Sequence, residues 1–150
     1  MDVTHEEALI RAFIAPERRS QYLGRLSDPK TRAKFMTRHF HHMTDLDERF
    51  ARKIDPHMPL TDYSRRAAAH VDQIYEVLRS HGAPDRCYVI SATSDLDGEE
   101  VGLRDALADV VGGNDGTFIS CIPGRLAYFE GEGPNERYVL YRPTSSGDIP

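Results

Sequence analysis

The chain has no tryptophan, only two cysteines and no apolar run approaching the length of a membrane span. A transmembrane helix needs about 20 consecutive apolar residues, so we expect no membrane insertion. Two cysteines are too few for the disulfide framework of a small secreted protein, and the acidic segment 1–7 does not resemble a secretory signal. We therefore expect a cytoplasmic protein in which Cys87 and Cys121 are buried free thiols, with a disulfide between neighbouring strands left open as the alternative.

Helix and strand patterns are strong in the second half of the chain. In 61–82 the apolar residues recur every three or four positions, which predicts one long amphipathic helix that stops at Gly82. Four short runs rich in β-branched and aromatic residues predict strands: 86–92, 117–122, 125–130 and 136–142. A further helix is predicted at 103–111, between the first strand and the other three.

The first third of the chain has a helical pattern. The predicted helices begin near Thr4 and Pro16 and span Pro29–Met43 and Leu46–Ile54. The last of these rests on Leu46, Phe50 and Ile54, which are spaced four apart. The predicted fold class is α+β in the order α-α-α-α-α-β-α-β-β-β, with the helical half packed on a small, mostly antiparallel sheet.

A length of 150 residues predicts one domain. Within it we distinguish a basic helical subdomain at 1–55, a helix-plus-sheet part at 61–142 and a frayed polar tail at 143–150. The stiff segment 55–59, with two prolines, marks the boundary between the first two parts.

The net charge of −5 is unevenly distributed. Residues 1–53 hold 11 basic and 8 acidic side chains, a charge of +3, whereas residues 54–150 hold 8 basic and 16 acidic ones, a charge of −8. The basic helices predict a surface for an acidic partner, formed by Arg18, Arg19, Arg25, Lys34 and Arg38. The alternative is that these side chains only solvate the outer faces of helices. Nucleic acid is disfavoured as the partner because the whole chain is acidic.

A histidine cluster suggests a second hypothesis. Residues His39, His41, His42 and Asp45 are spaced so that pairs of them share a helix face, and His57 or His70 can complete the set. Such a group can hold a divalent metal that activates water. The alternative assigns the histidines to a favourable position at a helix end, followed by aspartates that cap the next helix.

A third feature is the polar segment between the first predicted strand and the helix at 103–111. Three polar residues lie between the end of a predicted strand and the start of a predicted helix: Ser94, Asp95 and Asp97. Ligands often bind at such positions. The segment lacks the first acid and the last glutamate of a calcium-binding EF-hand loop. The alternative is that its acids stabilise the dipole of the following helix.

These features support three hypotheses about function. The leading one is a small cytoplasmic binding or regulatory protein that acts through a protein partner, because no catalytic motif is evident. The alternative is a metal-dependent hydrolase or nuclease built on the histidine cluster. The third is a small-molecule sensor with its pocket between the helices and the sheet.

Overall fold

The computed structural model of the chain describes residues 3–40, 44–54, 63–113, 116–132 and 136–143. The helices in these ranges are α1 (Val3–Phe13), α2 (Arg19–Tyr22), α3 (Arg32–His39), α4 (Tyr63–Ser80) and α5 (Leu103–Val110). The strands are β1 (Ala51–Lys53), β2 (Arg86–Ser91), β3 (Glu100–Gly102), β4 (Thr117–Ile122), β5 (Leu126–Glu130) and β6 (Arg137–Tyr141).

All six strands form one sheet in the order β1-β6-β5-β4-β2-β3, and every neighbouring pair is antiparallel. The predicted α+β class is confirmed, and so is the antiparallel pairing of the last three strands. Short turns join those strands, and a short turn can return the chain beside itself only in the antiparallel direction. The outer strands β1 and β3 have three residues each, which limits the exposed sheet edges.

The two faces of the sheet bury different side chains because successive residues on a strand point to opposite sides. On β2, Tyr88 and Ile90 join a core with α1, α2 and α3. On the same strand, Cys87 and Val89 join a second core with α4 and α5. The sheet therefore lies between two helical layers, and the layer formed by α1, α2 and α3 carries the basic segment.

The predicted helix Leu46–Ile54 is absent, so this prediction is wrong. The amide of Ala15 donates to the carbonyl of Asp45 at 2.8 Å, and the amide of Asp47 donates to Phe13 at 2.7 Å. The segment therefore pairs with the chain that follows α1 instead of forming its own helical hydrogen bonds. One 3-10 turn follows, and the chain then enters the sheet as β1 beside β6.

Helix α3 occupies only part of the predicted helix Pro29–Met43, and its end is fixed against the sheet. The Phe40 ring, directly after α3, packs edge-on against Phe118 with 4.9 Å between ring centroids. A β-carbon at Gly116 would overlap the backbone carbonyl of Phe40. Only glycine fits there, because the sheet layer and the end of α3 touch backbone to backbone.

Two predicted features fall outside the described residues. They are the proline-rich boundary at 55–59 and the tail at 143–150, except for its first residue. The predicted basic subdomain 1–55 contributes β1 to the sheet. No helix within the described ranges combines the length and apolar content that a bilayer span requires.

Candidate functional site

A large open cleft lies between α2 and α3, on the outer side of the helical layer. Its volume is about 920 Å³, within the range of sites that bind small molecules or peptide side chains. Three cationic side chains line it: Arg25 follows α2, and Lys34 and Arg38 lie one turn apart on α3. No carboxylate is among its described lining residues. The described lining of the cleft therefore carries positive charge and no negative charge.

The five residues predicted to bind a partner fall into two groups. Arg25, Lys34 and Arg38 are exposed, line the cleft and form no ion pair with any described residue. Arg18 lies 3.8 Å from a carboxylate oxygen of Asp45, and Arg19 donates to the carbonyl of Ile14 at 3.0 Å. These last two arginines do not line the cleft, and their guanidinium groups contact other residues of the same chain.

An aromatic cluster forms the inner wall of the cleft. The His39 ring lies 4.4 Å from that of Phe35 and 5.6 Å from that of Tyr22, measured between centroids. The Tyr22 hydroxyl donates to Asp45 at 2.5 Å, and burial together with this bond raises the Tyr22 pKa. Burial, and then the charges of Arg38 and Arg25, lower the pKa of His39 against the opposing effect of Asp45. The wall is therefore mostly uncharged at neutral pH, and the positive charge of the cleft comes from its arginines and lysine.

We compared the chain with protein-family models, with curated proteins and with solved structures. Nothing matches. The site is therefore interpreted from its own geometry and chemistry.

The aromatic wall is the part of the site that the sequence analysis missed. The sequence patterns assign no role to Phe35, and they place His39 either in a metal site or at a helix end. A usable signal was present, because Thr31, Phe35 and Arg38 follow one another at helical spacing and so share a face. What the sequence did not show is that α2 ends opposite that face.

The described members of the predicted metal site do not form one. His39 packs among aromatic rings, and Asp45 is occupied by Tyr22 and Arg18. The buried His70 lies 3.1 Å from Arg137. Across the parts of the chain that the structure describes, no three His, Cys, Asp or Glu side chains come together as a metal-binding group. The other predicted ligands, His41, His42 and His57, lie outside those parts, so the metal hypothesis remains a prediction.

The predicted ligand loop splits into two parts. Ser94 donates to Asp109 at 2.6 Å, and with Asp95 these residues line a polar depression of about 180 Å³. Asp97 points away from it and accepts two hydrogen bonds from Arg32, at 2.7 and 3.0 Å. The depression is smaller than the roughly 300 Å³ typical of a ligand pocket, and the three residues do not converge on one ligand.

Arg32 is the centre of a buried polar network. Only 3% of its surface is exposed, although the sequence places it within a run of surface cations. Besides Asp97, it donates to Glu6 at 2.8 Å and to the carbonyl of Leu26 at 2.6 Å. Tyr88 donates to the same Glu6 carboxylate at 2.7 Å. The network joins α1, α3, β2 and the loop after β2, so its role is structural.

Burial of Arg32 works to lower its pKa. The hydrogen bonds that Arg32 donates to Asp97 and the negative charges of Glu6 and Asp97 outweigh that effect, so the pKa of Arg32 is raised. The guanidinium therefore stays charged in the folded protein.

The two cysteines are free thiols, as predicted. They lie on the neighbouring strands β2 and β4 and face the same core. Burial raises the pKa of Cys87 to about 12 and raises that of Cys121 as well. Because the thiolate is the reactive form, neither residue is suited to act as a nucleophile at neutral pH.

A partly buried serine–histidine contact is present as well. Ser120 lies 2.9 Å from Nδ1 of His5, whose ring stacks on Tyr88. Ser120 is only 1% exposed and therefore has no access to a substrate. This pair links α1 to the sheet.

Proposed function

We propose that this protein is a small cytoplasmic binding or regulatory protein, without catalysis of its own, that holds an acidic segment of a partner protein in the cleft. The observation that carries the proposal is a set of three cations around one cleft, Arg25, Lys34 and Arg38, which form no ion pair with any described residue. Elsewhere on the same helical layer, Arg32 and Arg18 have carboxylate partners within the chain. Cations left without internal partners are available to an external anion.

A peptide segment fits the cleft better than a nucleic acid does. The chain carries a net charge of −5, and the part after residue 53 carries most of the acids. A long polyanion would meet repulsion over most of the surface, whereas a short acidic segment meets only the cleft. The half-buried Phe35 provides an apolar contact for a side chain of that segment.

The test uses a fluorescently labelled peptide rich in Asp and Glu, with binding measured by fluorescence anisotropy. Replacing both arginines (Arg25→Glu with Arg38→Glu) removes two attractions and adds two repulsions. At roughly 0.5 kcal/mol for each of these four changes, the affinity should fall by about 30-fold. The salt dependence of the remaining binding should also become flatter, because fewer charges are engaged.

The matched control is Arg11→Glu with Arg52→Glu. Both arginines are exposed and lie outside the cleft, and their replacement changes the net charge by the same amount. We expect the control to keep its affinity within about threefold, since distant exposed charges are screened. Equal weakening by both variants would show a general charge effect and contradict the proposal, and so would a failure of the unmodified protein to bind.

A further inference from the structure

We propose that the acidic segment is anchored in the cleft by a phosphoryl group on a serine or threonine of the partner. This inference rests on the proposed function, and it names the chemical group that the cleft prefers. Three observations support it: the excess of positive charge, the kind of cation present, and the size and wall of the cleft.

The first observation is the amount of charge. Three cations line the cleft, and no acidic side chain is among its described lining residues. A carboxylate brings one negative charge, whereas a phosphoryl group brings about −1.5 to −2 at neutral pH together with three acceptor oxygens. The phosphoryl group therefore neutralises more of the excess charge at a single point.

The second observation is the presence of two arginines that line the cleft from different parts of the chain. Arg25 comes from the chain after α2, and Arg38 comes from the last turn of α3. Both side chains line the same cleft. The planar guanidinium fork matches the oxygens of a phosphate in a bidentate way that lysine cannot reproduce.

The third observation separates a phosphorylated segment from a free phosphate ion. At about 920 Å³ the cleft has room for several residues of a bound chain. Its inner wall is formed by the rings of Phe35 and His39, which are tilted by 35° to each other and offer a free phosphate no favourable contact. They do offer contact area to the side chain beside a phosphorylated residue. Thr31 and Thr37 line the same cleft and add hydroxyl donors for the backbone of that chain.

The experiment compares three short peptide pools that share the same randomised flanks and differ only in a central serine, glutamate or phosphoserine. We expect the phosphoserine pool to bind at least tenfold more tightly than the glutamate pool, and the serine pool to bind most weakly. The affinity of the phosphoserine pool should also decrease when the pH is lowered below about 6, because the phosphoryl group then gains a proton. The glutamate pool should not show this loss.

The variant Arg38→Lys tests the role of the planar guanidinium group, because lysine keeps the charge but cannot bind a phosphate in a bidentate way. We expect the affinity for the phosphoserine pool to fall about tenfold, with less than a twofold change for the glutamate pool. Arg11→Lys, outside the cleft, serves as the control and should change neither.

The outcomes distinguish this inference from the proposed function. If the glutamate and phosphoserine pools bind equally, the phosphoryl anchor is wrong and the acidic-segment proposal survives. If inorganic phosphate competes at the affinity of the phosphopeptide itself, the site takes a free ion and the segment is wrong. Binding of a single-stranded oligonucleotide with no binding of any peptide pool would overturn both proposals.

Discussion

Arg32 and Arg38 lie six residues apart on the same short helix, yet their surroundings are opposite. Arg32 is 3% exposed and donates to Glu6, Asp97 and a backbone carbonyl. Arg38 is exposed, lines the cleft and forms no ion pair with any described residue. The comparison shows that one helix can carry the same residue type buried and paired on its inner face and exposed to solvent on its outer face.

The difference follows from desolvation. A charge that leaves water must be compensated by partners inside the protein, so the acids around Arg32 are already committed. A charge that stays in water needs no such partner and contributes little to folding. We therefore expect the stability of this protein to depend on Arg32 and its affinity for a ligand to depend on Arg38.

The largest difference in stability between the two faces of α3 should come from Arg32→Met. Methionine keeps much of the volume and the helix propensity, but it leaves the Glu6 and Asp97 carboxylates without their cation. We expect a loss of about 3–5 kcal/mol in the free energy of unfolding, because breaking a buried pair leaves an uncompensated charge. Urea denaturation monitored by circular dichroism measures it.

The matched control is Arg38→Met on the outer face of α3. Exposed substitutions away from special features usually change stability by no more than about 0.5 kcal/mol. If the two variants lose similar amounts of stability, the distinction between the inner and outer faces of α3 is wrong.

A second, smaller effect should come from Gly116→Ala, which tests the inner face of α3 without touching a charge. The added methyl group would overlap the backbone of Phe40, so the end of α3 must move away from the sheet. Overpacking of this kind costs about 1–3 kcal/mol. A shift in the thermal unfolding midpoint measures it, and affinity for an acidic peptide should also fall because the α3 side of the cleft moves.

Gly102→Ala is the control for that variant. A β-carbon there meets only the Asp105 side chain, at 3.2 Å, and that side chain can move. We expect a change within about 1 kcal/mol. A larger loss at Gly102 than at Gly116 would show that the contact with Phe40 is not the constraint.

Parts of this fold can be predicted from sequence because their patterns are long or repetitive. Helix α4 has five turns of regular apolar spacing, and strand β4 was predicted with its observed limits. The helix prediction for 46–54 was wrong because apolar residues spaced four apart fit the strand period of two as well as the helix period. Strands β1 and β3, with three residues each, carry too little pattern to be detected.

The candidate site could be predicted only in part, for a different reason. The basic run on α3 is visible in the sequence, but Arg32 and Arg38 look alike there. What separates them is the position of Glu6 and of Asp97, which are distant in the chain and meet Arg32 only in the fold. Long-range contacts of this kind leave no local signal.

The smallest loss of stability should come from Asp47→Asn. The ion pair between Asp47 and Arg49 has one buried and one exposed member, so its burial is intermediate between that of Arg32 and that of Arg38. The Asp47 side chain is 5% exposed and that of Arg49 is 65% exposed, with 2.8 Å between their charged atoms. The hydrogen bond from Arg49 lowers the pKa of Asp47 more than burial raises it. The ionised carboxylate therefore stabilises the fold at neutral pH, and this contribution declines as the pH falls below about 4. After allowance for solvent screening, we expect Asp47→Asn to cost about 0.5–1 kcal/mol at pH 7 and less at pH 3, measured by urea denaturation at both values.

Glu48→Gln, at the exposed neighbouring position, is the control and should change stability by only a few tenths of a kcal/mol at either pH. An equal loss for Asp47→Asn at both pH values would mean that the residue acts through shape alone, and that pairing with an exposed arginine adds nothing to the fold.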